Sequence, residues 1–187
     1  MKESNKEIIK VISKLVLISV VASAVLGATY VPTQEQLRLA EQRQTQETLA
    51  QLMPEAEEFE PVYAGENEEE VLYYQAYDSG GNLIGYGFVT EQSGYDDDIK
   101  MAAAVDANLE NMIGMDILRQ AETPGKGSKI ENPEFKNQFN NLPLGNLALS
   151  QNSGGVDAIS GATVSSSAVV TGLNNKISEI KQEINEQ

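Results

Sequence analysis

Cysteine and histidine are both absent from the 187 residues. Without cysteine the chain can form no disulfide framework, ligate no iron–sulfur cluster and build no thiolate zinc site. Nor can it carry the acylated cysteine of a lipoprotein. Without histidine the commonest haem and zinc ligand is gone as well. Any redox work must therefore fall to an organic cofactor. Basic side chains are scarce: 13 Lys and Arg against 28 Asp and Glu give a formal net charge of −15. The imbalance is uneven. Through Val31 four lysines face two glutamates, whereas the remainder holds nine basic and 26 acidic residues. No basic face is left for nucleic-acid phosphates, which excludes that class of partner. The acidity reads as a solvated surface. The length gives room for one domain of ordinary size plus an appendage.

Lys2, Lys6, Lys10 and Lys14 precede an uncharged, mostly apolar stretch from Leu15 to Val31. With Ile8, Ile9, Val11 and Ile12, apolar character extends over roughly the 20 residues that a bilayer span needs. Lys10 and Lys14 can snorkel toward the headgroups. All four lysines lie on the N-terminal side, so the positive-inside rule puts that end in the cytoplasm and everything after Val31 outside. The rival is a cleaved signal peptide, with Ala22-Ser23-Ala24 or Gly27-Ala28 near the cut. The long basic lead and the lack of a clear cleavage site favour a transmembrane anchor over residues 1–31. Pro32 is expected to end the span. Thr33 with Gln36 is a capping box for a polar helix from about Gln34 to Met53, stopped by Pro54. Its thin apolar face (Leu37, Leu49, Leu52, Met53) marks residues 32–55 as a connecting helix or stalk. Glu55 to Glu70 is an acidic passage of loop and irregular strand.

Strand composition begins at Val71. Val71 to Tyr77 is rich in β-formers, and Asp78-Ser79-Gly80-Gly81-Asn82 supplies turn chemistry. Leu83 to Thr90 is the second arm of a hairpin, with Ile84, Tyr86 and Phe88 at period two. Ile99 to Val105 and Met112 to Leu118 form another pair across Asp106-Ala107-Asn108. Between the two pairs lies Gly94-Tyr95-Asp96-Asp97-Asp98-Ile99. A Ca²⁺ loop of the EF type needs more ligands at fixed spacing and a downstream Glu, so the three carboxylates read as a solvated acidic turn and not as a metal site. Asn132 to Phe139 predicts a short helix with Pro133 in its first turn. Asn141 to Gly155 reads as a loop. Strands followed by helices make an α+β domain over residues 56–187.

That order leads to Asp157-Ala158-Ile159-Ser160-Gly161-Ala162-Thr163. Small residues here pass into a C-terminal helix, because Val169, Val170, Leu173, Ile177, Ile180 and Ile184 recur at helical spacing. The junction offers unpaired backbone N–H groups and the positive end of the helix dipole, which suits a phosphate. Ser, Gly and Thr also begin helices as ordinary N-caps, and no Lys follows as in a P-loop. The run resembles the flavinylation motif of the FMN-binding domain shared by the G subunit of Rnf-type ion-translocating oxidoreductases and the C subunit of Na⁺-translocating NADH:quinone reductases. In that family the last Thr carries FMN through a phosphoester installed by a dedicated flavin transferase. By position, the resemblance implies that Thr163 holds FMN covalently and that Ser160, Gly161 and Ala162 shape the phosphate turn. It also implies that Asp157 belongs to the transferase's recognition sequence. A Thr hydroxyl is a poor nucleophile without an adjacent base. A chain without His fits a residue modified by another enzyme.

A second motif follows the last strand: Glu122-Thr123-Pro124-Gly125-Lys126-Gly127. Pro and two Gly describe a tight loop whose backbone N–H groups can face a ligand. It resembles the family's Glu-Thr-Pro-Gly-x-Gly, often preceded by a His where this chain has Gln120. The resemblance implies that Glu122, Thr123, Gly125 and Gly127 wall the flavin site. Lys126 stands where a basic residue could offset charge on reduced flavin, although the family often has an apolar residue there. In the acidic turn Asp97 replaces a family Gly, so no flavin contact is carried onto it.

The resemblance implies an N-terminal transmembrane helix followed by an extracytoplasmic FMN domain with a twisted antiparallel sheet and packed helices. Such a chain relays electrons inside a cell-membrane complex that passes them between ferredoxin and NAD⁺, coupled to Na⁺ or H⁺ movement. The expected partners are the other subunits and the flavin transferase, and the chain alone should turn nothing over. The length favours the Rnf type over the C subunit of the quinone reductase. Other readings are a stand-alone anchored flavoprotein of extracellular electron transfer and a flavin-free tethered binding module.

Overall fold

Five strands form one antiparallel sheet in the order of the chain: β1 (Glu58–Tyr63), β2 (Val71–Tyr77), β3 (Leu83–Ser93), β4 (Asp98–Asp106) and β5 (Met112–Arg119). The computed structural model describes the backbone of residues 2–64 and 71–186 and, within these, the side chains of all but 2–5, 8, 25–35 and 186. Three helices accompany the sheet: α1 (Lys2–Leu52), the short α2 (Pro133–Lys136) and α3 (Thr163–Glu186). The α+β architecture and the strand positions agree with the sequence reading. Two compact units are present, Met1–Arg43 and Gln44–Gln187.

Turn residues set the strand ends. In the β2–β3 hairpin the Asp78 carboxylate accepts the backbone N–H groups of Gly80 and Asn82, both at 2.8 Å, and Gly81 adopts φ +74°. The Asn82 N–H and side-chain amide favour the charged form and hold Asp78 below the usual carboxylate range. Between β4 and β5, Asp106 binds the Glu110 N–H and the Asn111 amide, each at 2.8 Å. Burial alone would raise its pKa, but the hydrogen bonds outweigh it and hold Asp106 low.

The core lies on both faces of the sheet. On β3 the side chains alternate: Tyr86 and Phe88 enter the larger core cluster, whereas Gly85 and Gly87 face the other way. A Cβ on Gly87 would come within 2.8 Å of Leu49, and one on Gly85 within 2.8 Å of Met53. The glycines therefore let the chain segment just before β1 lie close on the sheet. β4 is sealed on both sides, with Met101, Ala102, Ala103, Ala104 and Val105 fully buried. This is why it reads as a continuous apolar run rather than an alternating one. Against the larger cluster lies one face of α3, where Val169, Leu173, Ile177 and Ile180 are buried. These are the residues whose helical spacing predicted the helix. Each contributes about 1.5–3 kcal/mol of burial.

One expectation for the N-terminal region needs correction, and a second is not shown. Pro32 does not end a helix: α1 runs from Lys2 to Leu52 and stops ahead of Pro54. A proline removes a single i→i−4 bond, and the Gln-, Glu-, Leu- and Ala-rich sequence after it has the propensity to carry the helix on. The transmembrane span over residues 1–31 is not borne out among the described residues, where no helix is long and apolar enough to cross a membrane. The rest of the predicted span, 25–31, lies outside the described side chains.

Candidate functional site

Three segments distant in sequence meet at a cavity of about 410 Å³. Its walls are Tyr95 from the β3–β4 turn, Glu122, Thr123, Lys126 and Gly127 after β5, and Gly161 to Ser165 where α3 begins.

The wall after β5 is built on Glu122, which is 3% exposed. One carboxylate oxygen accepts the backbone N–H groups of Tyr95 at 2.9 Å and Asp96 at 3.1 Å. The other accepts the hydroxyl of Ser165, in the first turn of α3. One buried carboxylate thus ties the three walls together. Two glycines make room for it. A Cβ on Gly94 would stand 2.3 Å from one Glu122 oxygen, and a Cβ on Gly127 would stand 2.7 Å from the other. Burying a carboxylate is costly unless such donors replace its water. Gln120, in the place of the family's His, accepts the Glu122 N–H through its side-chain oxygen at 2.6 Å. The Thr123 hydroxyl donates to the Asp96 carboxylate, so the acidic turn braces this wall. Gly125 adopts φ +75°, and its N–H donates to the Ser128 hydroxyl at 2.9 Å.

The wall at α3 is a tight turn. Gly161 adopts φ +77°, and the Ala162 N–H donates to the Ile159 carbonyl at 2.9 Å. The fully buried Ser166 hydroxyl accepts the Ile159 N–H and donates to the Ala162 carbonyl, both at 3.0 Å. Thr163 then opens a 24-residue helix with no acidic residue in its first turn. Thr163 itself is exposed. The helix start presents N–H groups and a positive dipole end to whatever occupies the cavity. Thr163 and Val164 also border a second cleft of about 400 Å³, with Gln92, Ser93, Ser167 and Thr171.

Of the residues singled out by sequence, the cavity gathers Glu122, Thr123, Lys126, Gly127, Gly161, Ala162 and Thr163. Gly125 and Ser160 lie outside its lining, as does Asp157. Asp157 borders a separate cleft with Phe135 and Gln138. Its N–H donates to the Gln138 side-chain oxygen at 2.7 Å, and the Gln138 amide donates to its carbonyl at 3.3 Å. Glu122 is placed as the buried tie of the walls, with its oxygens already engaged. The sequence reading missed Tyr95, Val164 and Ser165. Only the contact of three separated segments picks them out. Among the described residues no group of His, Cys, Asp or Glu could hold a metal ion.

Comparison with known proteins gives this geometry a family. The model of the FMN-binding domain matches residues 94–178, which include all three walls. The G subunit of the ion-translocating oxidoreductase complex of Methanosarcina acetivorans is 42% identical over 177 residues, 92% of this chain and 94% of that protein. The G subunit of the proton-translocating ferredoxin:NAD⁺ oxidoreductase complex of Clostridium ljungdahlii is 25% identical over 96% of this chain and 95% of its own. Among solved structures, the C subunit of the Na⁺-translocating NADH-quinone reductase from Parabacteroides distasonis shares the fold. Its TM-score is 0.56 at 20% identity, covering 80% of this chain and 94% of that one. The chain belongs to the family of G subunits of Rnf-type ion-translocating oxidoreductase complexes.

Proposed function

We propose that this chain is the electron-carrying G subunit of a ferredoxin:NAD⁺ oxidoreductase complex that moves Na⁺ or H⁺, and that it carries FMN as a phosphoester on Thr163. The observation that carries the reading is the setting of Thr163: an exposed hydroxyl at the first residue of a long helix, on the rim of a cavity walled by the Glu122–Gly127 loop. The residues present fit the group. The unpaired N–H groups of the α3 start suit a phosphate, the turn at Gly161 has no side chain in its way, and the cavity has the volume of a ligand site. FMN supplies the electron chemistry that a chain without His or Cys lacks. The protein's own part is to hold the phosphate at α3 and to fix the walls through Glu122. Among the described residues no carboxylate hydrogen-bonds the Thr163 hydroxyl, which fits installation by a separate flavin transferase that recognises Asp157 and the turn up to Thr163.

The N-terminal helix fits attachment of the domain to the cell membrane. Ile9, Leu15, Leu17, Ile18 and Val21 are all more than half exposed, an apolar surface that a soluble partner-free helix does not keep. The lysines ahead of this stretch support a cytoplasmic N-terminus with the flavin domain outside.

The test is co-expression with a flavin transferase, followed by a denaturing gel viewed under ultraviolet light. The chain should fluoresce, and Thr163→Val should not. A dark wild-type band would leave the flavin-free tethered module as the better reading.

A further inference from the structure

The chain has seven aspartates, all of them described, and six spend their carboxylates within the chain. Asp78 and Asp106 close their own turns. Asp97 accepts the N–H of Asp98, and Asp98 accepts the Ser93 hydroxyl at 2.6 Å. Asp96 accepts the Thr123 hydroxyl, and Asp116 binds the Lys136 ammonium at 2.6 Å. Asp157 is the exception. It is exposed, and its carboxylate has no hydrogen-bond or ion-pair partner among the described residues.

The main chain of Asp157 is in the opposite state. Its N–H donates to the Gln138 side-chain oxygen at 2.7 Å, and its carbonyl accepts the Gln138 amide at 3.3 Å. Both ends of one side-chain amide are therefore spent on one residue, as a neighbouring β-strand would pair with it. Gln138 is itself held in the turn Asn137–Phe139, where the buried Phe139 ring meets that of Phe135 edge to face at 5.4 Å. The segment is already pinned without this clamp. Val156 is fully buried and bonded to Ala148 and Ser150, and the Ile159 N–H is bonded to Ser166. A further bond pair at an exposed site adds only modest stability. What it fixes is the place from which the free carboxylate projects.

We propose that Gln138 is a positioning residue for flavin attachment, holding the Asp157 main chain so that its carboxylate meets donor groups of the flavin transferase. The inference rests on the proposed attachment at Thr163 and adds to it how the enzyme's target is presented. A carboxylate with unused lone pairs calls for Arg, Lys or backbone N–H groups on the partner. Asp157 borders a cleft of about 460 Å³ shared with Lys129, Phe135 and Ile159, which seats the transferase segment that carries those donors. Ser160 and Thr163 are exposed like Asp157, while Ala162 stays buried, so the motif offers its polar side chains from a fixed backbone.

The experiment uses the full chain expressed without a transferase, then mixed with purified transferase and a flavin dinucleotide as donor. In the transfer the Thr163 oxygen bonds the FMN phosphorus, the phosphoanhydride P–O bond breaks, and the hydroxyl proton leaves with the departing nucleotide. Initial rates of attachment are read against chain concentration for wild type, Gln138→Met, Gln138→Glu, Asp157→Ala and the double variant Gln138→Met/Asp157→Ala. Circular dichroism fixes the folded fraction of each. Gln138→Met and Asp157→Ala should each raise KM several-fold and leave kcat unchanged, the pattern of lost binding rather than lost chemistry. Gln138→Glu keeps an acceptor for the shorter bond and should recover most of the wild-type KM. In the double variant Gln138→Met should add nothing to Asp157→Ala, because the clamp acts through that carboxylate. A wild-type KM in Gln138→Met, or effects that multiply in the double variant, would overturn the inference while leaving the attachment intact. So would a Gln138→Met chain that fails to fold, since the clamp would then be structural. A wild-type chain that gains no flavin would remove both readings together.

Discussion

The first turn of α3 and the rest of that helix are built on opposite rules. From Val169 to Ile180 the helix buries its apolar stripe in the main core. In its first turn the pattern inverts: Thr163 and the apolar Val164 are exposed, while the polar Ser165 and Ser166 are buried. The buried serines are satisfied, one by Glu122 and the other by the turn that precedes the helix. One element therefore anchors itself with its C-terminal two-thirds and offers chemistry with its start. Stability and function should then separate along its length.

Four changes can break or sharpen that separation. Thr163→Val should abolish covalent flavin altogether and move stability by no more than about 0.5 kcal/mol, as for other exposed positions. Urea melts beside flavin fluorescence in gels would check both. Leu173→Ala should do the reverse. It should cost about 2–5 kcal/mol, and the fraction still folded should accept flavin on Thr163. A loss of flavin in properly folded Leu173→Ala would tie the two ends of the helix together and undo the comparison.

Glu122→Ala lies between these extremes, because it touches both the fold and the cavity. It leaves the part-buried N–H groups of Tyr95 and Asp96 and the buried hydroxyl of Ser165 without their acceptor, a cost of about 1–3 kcal/mol, and flavin loading should fall with it. Glu122→Gln can still accept the two N–H groups and should restore most of both. If Gln behaves like Ala, the charge itself matters and the geometric account of Glu122 is incomplete.

The smallest effect is expected far from the cavity, at Asp106. Its pKa is lowered in the folded chain, so its stabilisation is present above the ordinary carboxylate value and is lost as pH falls through the lowered one. Asp106→Ala should cost about 1 kcal/mol at pH 7, with solvent screening keeping it that small. The gap from wild type should narrow as pH falls through the lowered value. A gap that persisted in acid would show that the turn between β4 and β5 does not depend on the charge.

The strands were legible because their composition and their turns agreed: Asp78 to Asn82 makes the turn its residues describe, and Tyr86 and Phe88 alternate as their spacing requires. α3 was legible for the same reason. The helix through Pro32 was not, since a proline marks a break locally while propagation on either side decides whether the helix ends. Within the site, Thr163, Thr123 and Gly127 could be picked out because the motifs are contiguous. Tyr95 and Ser165 could not, because what makes them neighbours is a carboxylate 27 residues from one and 43 from the other. The same buried carboxylate explains Gly94 and Gly127, whose need shows only when Glu122 is in place.

The most direct test of the account is the mass of the tryptic peptide from Asn137 to Lys176, taken from chain co-expressed with a flavin transferase. The account predicts a gain equal to FMN less one water, with fragment ions locating it on Thr163. A peptide of unmodified mass, or an adduct on Ser160, Ser165 or Ser166 in place of Thr163, would contradict it.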